Sequence, residues 1–90
     1  MTAFAPEGSW WAATLAPVVG NPTGSGDAAA AAIIAGALAG APWPDRLRDA
    51  VALSAAAVLQ PTAGSVDLRD YLKLVPQILV EEHHAPDLDR

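Results

Sequence analysis

Apolar and polar positions along the chain fall into a few short, distinct patterns. Residues 9–15 read Ser-Trp-Trp-Ala-Ala-Thr-Leu, a run suited to a strand, where the adjacent Trp10 and Trp11 must point to opposite faces. One of the pair is expected on the core and the other without cover. Residues 17–20 predict a second extended piece, and Gly8 is expected to turn the chain before the first. The pattern changes at Asp27, because residues 28–41 are without exception apolar or glycine. A helix over 27–39, ended by Gly40 and Pro42, is the expectation. A second helix is predicted over 44–59. There Leu47, Val51, Ser54, Ala55 and Val58 recur at helical spacing and form one inward stripe, leaving Asp45, Arg46 and Asp49 toward water. Asp67 suits the N-cap of a third helix with Leu68, Tyr71, Leu72 and Val75 on its apolar face. Pro76 should stop it, and residues 78–80 should add a last strand. Residues 81–90, opening with Glu81-Glu82-His83-His84, read as a flexible, solvated tail.

This order predicts an α/β architecture of about three helices on a few short strands. Ninety residues make one small domain, which buries only about 60% of the surface its unfolded chain exposes. Because 52% of residues are apolar but only 6% aromatic, alanine must supply much of the core, with little area buried per residue. Two or three short strands leave sheet edges open, so the isolated chain is expected to self-associate or to be partly molten.

Charge and length exclude several classes. A net charge of −5 disfavours nonspecific binding to nucleic acid or anionic membranes. The fourteen-residue apolar run at 28–41 is shorter than the roughly 18–20 residues needed to cross a bilayer. Its glycines Gly36 and Gly40 are better explained by close packing on a sheet or a neighbouring helix. No basic region precedes an apolar run at the N-terminus, as a secretory signal would require. With no cysteine, disulfides and thiolate metal sites are excluded. The four adjacent residues 81–84 cannot all turn toward one metal ion.

The candidate chemistry lies in Asn21-Pro22-Thr23-Gly24-Ser25-Gly26-Asp27, which runs straight into the first predicted helix. Gly24 and Gly26 can adopt backbone angles closed to other residues, so the amides from Gly24 to Asp27 can converge on one anion. The helix N-terminus adds its unsatisfied N–H groups and positive dipole end. Asp27 would then face a bound phosphate and accept the proton of an attacking hydroxyl. A bare turn followed by an N-terminal acidic residue is the structural alternative, and the lysine of a Walker loop is absent.

This string and the small residues after it resemble the C-terminal signature of the ribokinase-like (PfkB) carbohydrate kinases, Asp or Asn, two variable residues, then Gly-Ala-Gly-Asp, with Ser25 in place of the Ala. The resemblance extends over Trp43-Pro44-Asp45-Arg46-Leu47, residues 50–58 and Pro61-Thr62-Ala63-Gly64. The Asn-Pro-Thr opening looks more like the branch holding 1-phosphofructokinases and tagatose-6-phosphate kinases than the ribokinase branch. Kinases of this family are several times longer. The chain therefore resembles the C-terminal part of a ribokinase-like α/β sandwich, one partial domain over residues 1–90.

The resemblance implies ATP-dependent phosphoryl transfer to a sugar or sugar phosphate in the cytoplasm, with Mg²⁺ bridging the nucleotide phosphates. It makes Asp27 the catalytic base and Gly24, Ser25 and Gly26 the anion hole. It places Asn21 and Thr23 near phosphate or a monovalent cation, Val51, Ser54 and Val58 beside adenine, and Gly64 in the loop that closes the nucleotide site. The residues that orient the acceptor sugar are not recognisable in these 90 residues. Alone, the chain is expected to be inactive, with a complementing N-terminal kinase part as its natural partner. The competing expectation is a noncatalytic remnant or interaction module that keeps this piece of the fold.

Overall fold

The computed structural model describes residues 1–6, 8–15, 18, 20, 24–60 and 66–83. Two strands, β1 (Thr2–Ala5) and β2 (Gly8–Thr14), precede the helices α1 (Ser25–Leu38), α2 (Trp43–Val58) and α3 (Leu68–Leu74). A single 3₁₀ turn, Val75–Gln77, then leads into β3 (Ile78–His83). The three strands form an antiparallel sheet in the order β1-β2-β3. The fold is thus mixed α/β, three helices and a three-stranded sheet, as the alternation of patterns predicts.

β1 is not legible in the sequence. Its four residues Thr-Ala-Phe-Ala carry no long alternation, and they become a strand by pairing with β2 from Thr2↔Trp11 to Ala5↔Gly8. Gly8 closes this hairpin at φ 153°, a conformation essentially confined to glycine. β3 runs through Glu81 and Glu82 to His83, paired residue by residue with β2. These three residues therefore belong to the sheet, correcting the flexible tail expected from residue 81. Val18 and Gly20 lie outside any strand; the rest of the extended piece expected at 17–20 lies outside the described residues.

α2 is the centre of the molecule. Leu47, Val51, Ala52, Ala55 and Ala56 pack with Ala3, Trp10, Ala12 and Ile78 of the sheet and with Leu74 of α3. Ala50 meets Ala29 and Ala32 of α1. The helix is therefore buried on two sides, not along one stripe; the alanines add a second face that a count of large apolar residues does not reveal. Leu47 is the one large side chain fully buried among the described residues, in keeping with an alanine-built core.

α1 ends as its glycine pattern predicts. Gly40 takes φ 71°, its N–H donates to Ala37 O and the Ala41 N–H donates to Gly36 O, which is a Schellman termination. A Cβ on Gly36 would press into the Arg46 side chain, so this glycine lets the α2 arginine cross α1. Arg46 Nε donates to Ala41 O at 2.6 Å, and its guanidinium lies 4.8 Å over the Trp43 ring. Trp43 in turn stacks on Trp10, centroids 6.3 Å apart. The expectation that Arg46 simply faces water is thereby corrected: an aromatic face and a backbone carbonyl hold it. Asp49 is corrected in the same way, since it accepts the Tyr71 hydroxyl at 2.8 Å.

The third helix begins as predicted. Asp67 Oδ1 accepts the Arg69 backbone N–H at 2.8 Å, which is N-cap geometry. Trp10 is buried while Trp11 is 40% exposed, so one of the pair has a core and the other does not.

Candidate functional site

Gly24 is the N-cap of α1 and sits in the left-handed region, φ 87°, with no side-chain cap. A side chain at that angle costs about 1–2 kcal/mol, so the turn into the helix selects glycine there. The first α-helical donor of α1 is Ala28, whose N–H bonds Gly24 O at 3.1 Å. The amides of Ser25, Gly26 and Asp27 thus lie ahead of the helix ladder, at the positive end of the helix dipole. A Cβ built on Gly26 meets nothing within 4 Å. Gly26 is therefore not a glycine for reasons of packing among the described residues.

Asp27, the third residue of α1, is exposed. Among the described residues no ion pair or side-chain hydrogen bond engages its carboxylate. The structure therefore brings Gly24, Ser25, Gly26 and Asp27 into one helix-opening turn. Asn21, Thr23 and Gly64 lie outside the described residues.

Val51 and Ser54 line an open cavity of about 310 Å³ between α2 and the end of β2, together with Ala55, Ala12, Ala13, Thr14, Val18 and Met1. Its walls are mostly apolar, with the hydroxyl-bearing Thr14 and Ser54 among them, a lining that suits a planar heterocycle held by few polar contacts. Val58 is placed differently. It does not line the cavity; a Cβ on Gly20 would collide with its carbonyl oxygen. Val58 is thus the surface on which the chain lies just before residues 21–27.

Val51, Ser54, Ala55 and Val58 share one face of α2 by their spacing. At 1.5 Å per residue, the Gly20 contact lies only about 6 Å along the helix from Ser54. Cavity and loop entry are therefore neighbours. The sequence names the α2 half of this cavity but not the half from β2, because nothing in the strand's alternation says which helix will lie against it.

Both arginines of α2 are engaged locally. Arg48 pairs with Asp45 at 3.0 Å within α2, so neither arginine of this helix stands unpartnered for a phosphate. Among the described residues no three His, Cys, Asp or Glu side chains converge as a metal site. Nor is any helix among them long and apolar enough to cross a membrane.

The sequence profile of the pfkB family carbohydrate kinases matches residues 5–69. No curated protein matches the chain in sequence. Among solved structures, a candidate phosphofructokinase from Staphylococcus aureus superposes with a TM-score of 0.73 at 24% identity, over 83% of this chain and 24% of that one. The fold is accordingly that of a fragment of a ribokinase-like domain, and the chain spans about a quarter of that protein's length.

Proposed function

Because the chain belongs to the pfkB carbohydrate kinase family, we propose that it carries the phosphate-receiving and proton-accepting part of an ATP-dependent sugar kinase. The observation that carries this reading is the juxtaposition on α2. A mostly apolar cavity and the entry to an amide-rich, glycine-capped helix start lie a turn or so apart on one helix face.

The residues present fit a nucleotide triphosphate. The cavity of Val51, Ser54 and Thr14 takes the base, and the amides of Ser25, Gly26 and Asp27 face the transferred phosphate. Bound Mg²⁺ would supply charge neutralisation to the nucleotide phosphates; among the described residues no carboxylate cluster would hold it independently of the nucleotide. A monovalent cation falls to the Asn21, Thr23 and Gly64 region by resemblance alone.

Asp27 accepts the proton of the sugar hydroxyl as that oxygen bonds to phosphorus and the bond to the departing diphosphate breaks. The amides stabilise charge developing on the transferred group, an electrostatic contribution that is usually the largest in such reactions. The acceptor is a sugar or sugar phosphate, with the Asn-Pro-Thr opening favouring a hexose phosphate such as fructose 1-phosphate or tagatose 6-phosphate. The working location is the cytoplasm, where ATP and phosphorylated sugars occur. Acceptor positioning supplies much of a transferase's rate. A complementing N-terminal kinase part is therefore the partner this reading calls for.

Calorimetric titration with ATP and Mg²⁺ tests it on the chain itself and on Gly26→Val. Space around Gly26 is open and valine is acceptable in a helix, so this substitution should leave the fold intact while crowding the phosphate. Binding present in the parent and lost in Gly26→Val supports the reading. No binding by a folded parent chain leaves the noncatalytic remnant. In an assembled kinase, Asp27→Asn should lower turnover about 10²–10⁴-fold with nucleotide binding retained.

A further inference from the structure

We infer that Gly20, which precedes the signature string, is a positioning residue for the turn at Gly24–Asp27, a role that rests on the phosphate-binding function proposed for that turn. Gly20 belongs to no helix or strand. The glycines with positive φ are Gly8, Gly24 and Gly40, so backbone angle does not select glycine at position 20. Its neighbour does. A Cβ on Gly20 would run into the Val58 carbonyl oxygen, and would lie 3.1 Å from the carbonyl carbon and 3.3 Å from Val58 Cγ1. The Cα hydrogen that a side chain would replace therefore points at the end of α2.

The helix side of this contact is the rigid one. Val58 is the last residue of α2, and its carbonyl shares a peptide plane with the Leu59 N–H. That N–H donates to Ala55 O at 3.3 Å, and the next, from Gln60, donates to Ala57 O at 3.2 Å. Turning the Val58 carbonyl aside would break the first of these bonds. Withdrawing it would move Ala55, Ala56 and Ala57, which are buried. A side chain at position 20 is therefore accommodated by lifting the chain off α2, by about 1 Å to restore ordinary contact.

The displacement reaches the site because the connection is short. Three residues separate Gly20 from Gly24, a span of at most about 14 Å. Gly24 holds φ 87° at the start of α1, and α1 is fixed to α2 through Ala29 and Ala32 on Ala50. Gly20 on Val58 and α1 on Ala50 are thus two anchors on one helix. Moving the first changes the direction from which the chain enters the turn, and with it the aim of the Ser25, Gly26 and Asp27 amides.

The same contact fixes the turn relative to the cavity. Val58 lies about one helical turn beyond Ser54, and Ser54 lines the cavity with Val51 and Thr14. Through Val58, Gly20 sets the distance between the place of the base and the place of the transferred phosphate. A misplacement of about 1 Å at a reacting group can cost about 10²-fold in rate, so a glycine with no contact to the nucleotide still governs how well its phosphates are met.

Gly20→Ala tests this on the whole chain, by calorimetric titration of adenosine and of ATP with Mg²⁺ and by amide NMR spectra of parent and variant. Circular dichroism should be unchanged. Adenosine, which reaches only the cavity, should bind the variant as it binds the parent, while ATP should bind roughly tenfold or more weaker. The amide signals of Gly24, Ser25, Gly26 and Asp27 should move, and those of Leu47 and Ala52 in the core should stay. Equal weakening of both ligands overturns the proposal, as do unmoved signals at Gly24–Asp27. An unfolded variant overturns it too, since Gly20 would then serve packing alone. If the parent binds no ATP, the nucleotide function fails, and the Gly24–Asp27 signals by themselves decide the positioning role.

Discussion

The hydroxyl of Tyr71 donates a 2.8 Å hydrogen bond to Asp49 Oδ1 and so ties the short helix α3 to the middle of α2. Residues 22 positions apart in sequence are joined by a neutral donor and a charged acceptor in partly buried surroundings. Burial first, and then the bond to Asp49 and its charge, push the Tyr71 hydroxyl up to about 12.

A raised tyrosine value has a definite sign for stability. The neutral form is favoured by folding, so its contribution is complete below the unfolded value near 10 and is lost as pH rises toward 12. Tyr71→Phe should cost about 1–2 kcal/mol at neutral pH and flatten the decline of stability above pH 10. Urea melts at a series of alkaline pH values check both.

Asp67 behaves oppositely. The Arg69 side-chain hydrogen bond, followed by the Arg69 backbone N–H, holds its carboxyl below the ordinary value. The stabilisation is present above the unfolded value near 3.9 and disappears as pH falls through the lower folded one. Asp67→Ala should weaken α3 at neutral pH, with the gap to the parent closing in acid. Thermal melts near pH 7 and below pH 3 would show it.

Gly24 and Gly26 should respond differently to the same substitution. Gly24→Ala forces a side chain into φ 87° and should destabilise by about 1–2 kcal/mol. Gly26→Ala meets open space at a helical position and should stabilise by roughly 0.5–1 kcal/mol. Paired denaturant melts decide this; equal losses at both positions would contradict the loop conformation.

Trp43 sits between the Trp10 ring and the Arg46 guanidinium. Trp43→Ala removes the stack that joins the start of α2 to β2 and, because Trp43 is only partly buried, should cost about 1–3 kcal/mol. In so small a domain that is enough to unfold much of the population. Tryptophan fluorescence during urea denaturation measures the loss.

Local information in the sequence determined most of the elements and the chemical motif. The cap at Asp67, the Gly40 stop and the glycine-rich opening of α1 all act within a few residues, so their signals sit next to their effects. The likeness of residues 21–27 to the pfkB signature could be read for the same reason, as could the presence of one buried and one uncovered tryptophan. What only the tertiary structure decided are relations between distant segments. β1 is a strand because β2 lies beside it, and residues 81–83 leave the expected tail because β2 offers them a partner. Arg46 and Asp49 leave the water-facing set because Trp43, Ala41 and Tyr71 arrive from other turns and helices. Val51 and Ser54 line a cavity while Val58 supports Gly20, a division set by where the end of β2 crosses α2. Periodicity places Leu47, Val51 and Ala55 of α2 in the core; alanine explains why the rest was hidden, since its small, weakly apolar side chain packs equally well on several faces, so burial of Ala50, Ala52 and Ala56 follows from which neighbours approach.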